Sequence, residues 1–350
     1  MLAALVAAHL IGTSHGVGNE LTGLRIHQGL LAYDGGWYQS IAAHGFAGAG
    51  EESVRFFPLL PYLAHALAWI GPSPGVAVIA IANASALGAS YLMYALAREV
   101  LGGSAVAERA VWLLALAPGA YALVLGYAEG LFLCLALGCL LALRRSGAGV
   151  TALAAVLAML AATCRPIGLA LAPAAALVLW RRWGSTKSLE RSTLVAATLA
   201  PLAGLGLVLA NSAAVGFGAL APLRVQTQSN LHGRISNPAA TLLHAVGDAL
   251  HGHSSIAMHL PWIAVALIGL LLSWRMLPGE LTAFGLGVVL LALSGTNLDS
   301  FERYATCAVP LVLVAASLLR AATWFRVVVV ALAAWLGLFS LLVFLNIAVA

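Results

Sequence analysis

The chain has 350 residues, 62% of them hydrophobic and only 8% charged, with a formal net charge of +5. A soluble domain carries about 25% charged residues, so this sequence cannot clothe a water-facing surface, and no polar stretch is long enough for a separate soluble domain. Apolar runs of roughly 18 to 24 residues recur along it, each long enough to cross about 30 Å of hydrocarbon.

In chain order the apolar runs predict spans at 1–18, 74–97, 107–125, 127–143, 148–164, 167–182, 192–214, 256–274, 280–296, 305–320 and 327–348. The expected fold is therefore all-α and polytopic, a single domain over 1–350 with about eleven transmembrane helices. The first run is short over 1–11 and either continues through Thr13, Ser14 and His15 or has lost a few residues at its start. It has no basic n-region and no small-residue cleavage site leading into a soluble chain, so a cleavable signal is not expected.

The stretch 56–70 is also apolar. Leaving it out of the span count places Arg98, Arg109, Arg144, Arg145, Arg181, Arg182, Lys187, Arg191, Arg275, Arg320 and Arg326 on one side, which the positive-inside rule makes cytoplasmic. Eight of the twelve acidic residues and nine of the ten histidines then fall outside. Residues 56–70, opened by two prolines, are read as a helix in the outer interface. The amino terminus is expected inside, the carboxyl terminus outside.

The outer face then has two long loops, 19–73 and 215–255, and a short polar one near 297–304. Loops of that length in a compact protein are functional or disordered, and their Trp, Tyr, His, Asp and Arg content argues against disorder. The cysteines, Cys134, Cys139, Cys164 and Cys307, lie in or beside apolar runs and offer neither a disulfide framework nor a metal knuckle.

In the first loop Asp34 is placed to cap a helix running to about His44, with Trp37, Ile41 and His44 on one face. A cap beside an aromatic interface anchor and a functional acid both satisfy this spacing. Glu51 and Glu52 read as solvated loop charges. Glu129 opens the fourth span, where the helix dipole alone would stabilise it. Arg165 lies between two spans on the outer side; an Arg in hydrocarbon costs about 2.5–3.5 kcal/mol even on the lenient insertion scale. It needs an anion, and a carboxylate or a ligand phosphate would serve.

The second loop carries Arg224, Gln226, His232 and Arg234, then Asn237-Pro238 as a helix start. His244, Asp248 and His251 follow at helical spacing with His253 and His259 beyond, a solvated face rather than a zinc site, because no compact ligand set is present. In the last loop Arg303 enters a span from outside as Arg165 does, next to Tyr304. Arg165 and Arg303, with His232 and Arg234, would make a cationic pocket suited to a phosphate on a lipid.

These motifs come in a recognisable order. Asp34-Gly35-Gly36-Trp37-Tyr38 with Ile41-Ala42 and His44-Gly45-Phe46 resembles the signature WDgxxYxxIAxxGY, and Phe56-Phe57-Pro58-Leu59-Leu60-Pro61 resembles FFPLYP. Tyr127-Ala128-Glu129-Gly130-Leu131-Phe132, Arg165-Pro166-Ile167-Gly168-Leu169 and Ser300-Phe301-Glu302-Arg303-Tyr304 with Pro310-Leu311 are similar to the later motifs. Together they resemble the PIG-V-like (GPI mannosyltransferase II) branch of the GT-C membrane glycosyltransferases, in a bacterial form. Tyr33 stands where Trp is usual and Ala128 where Ser or Thr is usual.

The resemblance implies a GT-C fold and an inverting transferase. It would move mannose from polyprenyl-phosphate-mannose to a glycolipid or lipid-linked glycan on the outer face of the plasma membrane, with no nucleic acid among its partners. It makes Asp34 the general base. Arg165, Arg303, Arg234 and His232 would hold the donor phosphate, and Trp37, Tyr38, His44, Glu129, Gln226 and Tyr304 the substrates. One carboxylate suffices to deprotonate an attacking hydroxyl, and a phosphate leaving group needs no second acid. No acidic cluster for a divalent ion is visible, so neither metal nor cofactor is expected. The rival reading is a transporter or flippase for a lipid-linked sugar, which would place ionisable residues along the spans near the midplane. A transferase using another donor sugar, such as arabinofuranose or glucose, also fits.

Overall fold

The computed structural model describes residues 25–227, 234–251, 259–298 and 300–344. They form an all-helical molecule; among them the one extended pairing is an isolated antiparallel bridge, Ile235 to Gly295. The expected first span, 1–18, lies outside the described residues.

A 3-10 segment, Arg25–Leu31, leads into α1 (Asp34–Ala49), which breaks at Gly45, where φ is 71°. The sequence expected the helix to run to about His44, and the glycine supplies the stop. A short helix, α2 (Leu59–Ala68), packs with α1 on α3 (Pro74–Leu101). Next come α4 (Ser104–Ala115), α5 (Glu129–Leu143), α6 (Ala148–Cys164), α7 (Leu171–Arg182) and α8 (Ser188–Ala214). Beyond these lie α9 (Ala221–Gln226), α10 (Pro238–Leu250), α11 (Leu260–Met276), α12 (Gly279–Ala292), α13 (Phe301–Thr306), α14 (Val309–Leu318) and α15 (Ala322–Phe344).

Among the described residues, three helices are long and apolar enough to cross a membrane: Pro74–Leu101, Ser188–Ala214 and Ala322–Leu341. Shorter apolar helices fill in around them. Their outward faces carry large apolar side chains, among them Leu87 at 74%, Leu271 at 68% and Val330 at 68% exposure. A soluble monomer does not leave so much apolar surface open.

Among the described residues, two expected spans are broken by non-helical residues, and 167–182 starts as a 3-10 segment, Pro166–Ala170. The run 107–125 is helical only to Ala115; Pro118 cannot continue the ladder, and the chain turns into a 3-10 segment, Ala120–Leu123. The run 305–320 becomes α13 and α14, with Pro310 in the first turn of α14. Both breaks fall beside the candidate site. Helices pack closely where side chains are small: a Cβ on Gly130 would lie 2.6 Å from the Ala82 carbonyl oxygen, so only glycine lets the start of α5 press on α3.

Candidate active site

Four segments far apart in sequence converge on one ionic network. Asp34 is the first residue of α1 rather than its cap. Its Oδ2 lies 2.9 Å from Nη2 of Arg303, whose Nε is 2.7 Å from Oε1 of Glu129. Nη1 of Arg165 reaches the same Glu129 oxygen at 2.5 Å. Glu129 is 1% exposed and both arginines 5%, while the Asp34 side chain keeps 20% of its surface open.

Local structure explains each position. Tyr33 has φ 54°, a conformation bulky residues rarely adopt and one that costs on the order of 1–3 kcal/mol. Its hydroxyl donates to the Val343 carbonyl in α15 at 2.7 Å, pinning the strained turn that aims Asp34. Asn83 in α3 donates to the Val124 carbonyl at 3.0 Å, and Gly126 N–H donates to Leu30 O at 2.8 Å, which fixes the approach to Glu129. Arg165 is extended (φ −153°) between α6 and the 3-10 segment Pro166–Ala170, because the residue before proline avoids the helical region. The Cys164 thiol donates to the Ala128 carbonyl at 3.6 Å, bringing the end of α6 to the start of α5.

Arg303 sits on α13, clamped by the turn at Gly119. A Cβ there would lie 2.5 Å from the Glu302 carbonyl oxygen. Gly119 N–H donates to Thr306 Oγ1 at 3.2 Å, and that hydroxyl donates to Glu302 O at 2.8 Å. Glu302 itself meets Nδ1 of His259 at 2.8 Å, both side chains being buried. Aromatic faces complete the surround: Arg165 lies 5.1 Å from the Tyr304 ring centre and Arg303 4.9 Å from that of Tyr127.

The two arginines are therefore bound by carboxylates, one of the two anions that the sequence left open for Arg165, and the pocket they form is not a bare cationic one. The contacts to Glu129 Oε1 are close but miss hydrogen-bond geometry, so charge rather than direction holds them. Arg303 Nη1 and Arg165 Nε are buried without a hydrogen-bond partner among the described residues. Buried guanidinium N–H groups left this way are costly unless something else accepts from them.

The remaining expected site residues divide. Tyr38 is buried beside the network; burial pushes its hydroxyl well above the usual range, against the pull of Arg165, so it stays protonated. Trp37 stacks on Phe56 at 5.6 Å with Arg55 over both rings, on the flank of the site. Gln226 and Tyr304 share a cavity of about 130 Å³ with Pro166, Asn297 and Ser300. Arg234 holds its backbone to Thr296 at 3.1 Å, and the residue is exposed. His44 is exposed, and His232 lies outside the described residues.

His259, expected on a solvated face, is instead buried against Glu302. Its signal was its place at the start of an apolar helix rather than in the amphipathic run before it. Among the described residues no group of three or more His, Cys, Asp or Glu converges in a metal-holding arrangement. An apolar cavity of about 260 Å³ opens on the other side of α13, between Leu113, Trp262, Val265, Leu311 and Leu332, with Glu302 at its margin.

No known protein family and no curated protein matches the chain.

Proposed function

We propose that the protein is a polytopic GT-C-type glycosyltransferase of the plasma membrane with about eleven spans, its site facing the extracytoplasmic side. It would move mannose from polyprenyl-phosphate-mannose to a glycolipid or lipid-linked glycan. The observation that carries the reading is the partly open Asp34 carboxylate 2.9 Å from a buried arginine that is itself linked through Glu129 to a second. A base and two cations are the parts this chemistry needs.

In the proposed step the acceptor hydroxyl attacks the anomeric carbon from the face opposite the phosphate. Its proton passes to Asp34 as the new C–O bond forms. The bond to the phosphate oxygen breaks, and polyprenyl phosphate leaves with the electron pair. Negative charge grows on that phosphate, so donors fixed in a dry site stabilise it; Arg303 Nη1 and Arg165 Nε are buried and uncommitted among the described residues. Glu129 would hold both guanidinium groups in place and offset their charge before the donor arrives. Gln226 and Tyr304 line a neighbouring cavity whose Thr227, Asn297 and Ser300 offer groups for sugar hydroxyls, and the apolar cavity beyond α13 suits a lipid chain.

The test is transfer itself. Purified full-length protein, given radiolabelled polyprenyl-phosphate-mannose and membrane lipids, should form a labelled glycolipid, and a chelator should leave the rate unchanged. Parallel polyprenyl-phosphate-glucose and polyprenyl-phosphate-arabinofuranose reactions read the donor sugar. Absence of transfer from every donor, with label carried across sealed vesicles instead, would replace this reading by a lipid-linked sugar flippase.

A further inference from the structure

A second ionic cluster lies at the far end of α5. That helix has 15 residues, which at about 1.5 Å each separates its ends by roughly 22 Å. There the last turns of α3, α5 and α7 meet the first turn of α12. Glu280 is 6% exposed and pairs with Arg144 at 2.7 Å and Arg181 at 3.1 Å. Glu99 pairs with Arg144 at 2.8 Å and Arg145 at 2.7 Å, and Arg182 donates to the Arg145 carbonyl at 2.7 Å.

Three features give this cluster the form of a receptor rather than a finished set of ion pairs. First, it borders an open pocket of about 250 Å³ lined by Leu143, Arg144, Val178, Arg181, Arg182 and Glu280, many times the roughly 10–15 Å³ that admits one water molecule. Second, cations are in excess: Arg144, Arg145, Arg181, Arg182, Lys187 and Arg191 stand against Glu99, Glu190 and Glu280. A guanidinium has five N–H donors, and Arg181 uses one in its contact with Glu280. Third, Trp180 is 76%, Trp183 51% and Trp274 78% exposed on the adjoining helix ends. Indoles in such numbers at the ends of apolar helices mark the level of lipid headgroups.

We infer that this cavity binds the phosphate of an anionic phospholipid headgroup. Arg181 and Arg182 supply the contacting donors. Glu280 bridges Arg144 and Arg181 and so fixes both at the cavity wall. The phosphate belongs to a lipid because the tryptophans put the cavity at headgroup depth, where basic pockets between helix ends meet anionic lipid. The inference does not depend on what the opposite end of the molecule catalyses.

Native mass spectrometry of the delipidated full chain, titrated with phosphatidylglycerol or phosphatidylcholine, tests it. Each basic residue near a charged headgroup changes affinity about fivefold, so phosphatidylglycerol adducts should persist at about fivefold or more lower concentration than phosphatidylcholine adducts. The double variant Arg181→Gln/Arg182→Gln should lose that preference; Arg181→Lys/Arg182→Lys and the exposed Arg320→Gln should keep it. Equal retention of the two lipids by the unaltered chain, which needs no variant to fold, overturns the inference. So does an unchanged preference in the double glutamine variant. Inorganic phosphate displacing the lipid at equal concentration would overturn the lipid assignment in favour of a soluble phosphate.

Discussion

The two ends of α5 carry similar charges in opposite circumstances. At one end Glu129 joins Arg165, Arg303 and Asp34 in a dry network whose arginines are 5% exposed and whose contacts to Glu129 miss hydrogen-bond geometry. At the other, Arg144 and Arg145 bond Glu99 and Glu280 in good alignment, and the Arg145 side chain is 63% exposed. A solvated pair such as Arg145–Glu99 contributes about 0–1 kcal/mol. Burying charge costs more than the attraction returns unless every group is satisfied. The first end is thus arranged against stability, as the proposed site for a charged ligand requires, whereas the second is held by aligned pairs around an open, partly solvated pocket.

Substitutions at the two ends should separate these cases. The largest effect is expected for Glu129→Gln, which leaves two buried guanidinium groups with one carboxylate. Loss of one partner in a buried pair costs about 3–5 kcal/mol, read as a lowered thermal midpoint in detergent. A change under about 1 kcal/mol would mean that water reaches the network.

Next comes Gly119→Ala, whose Cβ would meet the Glu302 carbonyl oxygen at 2.5 Å. Overpacking of that kind costs about 1–3 kcal/mol, and it should displace Arg303, lowering transfer as well as the midpoint. Tyr33→Phe removes the bond to Val343 O and should cost about 0.5–1.5 kcal/mol, with a fall in transfer because the turn aiming Asp34 is loosened. The smallest effect belongs to Glu99→Gln at the opposite end, about 0–1 kcal/mol by the same thermal measurement. If Glu99→Gln proved as damaging as Glu129→Gln, the contrast between the two ends would collapse.

The sequence was legible wherever one local cause decided the structure. Gly45 ends the first loop helix, Asn237 caps α10 with its side chain accepting from Ala239 N–H at 2.9 Å, and α6 spans 148–164 as its apolar run predicts. Asp34, Arg165, Arg303 and Glu129 were each conspicuous as charges at the ends of apolar runs. Which charge meets which was not legible, because it depends on the packing of α1, α5, α6 and α13. The spacing of Asp34 suggested a cap, yet its carboxylate turns to Arg303; the nearby cation competes better for it than a backbone N–H. His259 looked solvated from its company of histidines and is buried, because the start of α11 lies against α13. The strain at Tyr33 leaves no mark in a sequence, since tyrosine is not a residue that announces a positive φ.

In the proposed reaction the Asp34 carboxylate takes the acceptor's proton. Transfer of radiolabelled mannose by Asp34→Asn, measured beside binding of polyprenyl-phosphate-mannose, addresses it most directly. Amide for carboxylate removes the proposed base and little volume, so the rate should fall about 10²- to 10⁴-fold while donor binding persists. An Asp34→Asn variant that folds, binds donor and turns over within a few-fold of the unaltered chain would rule Asp34 out as the base.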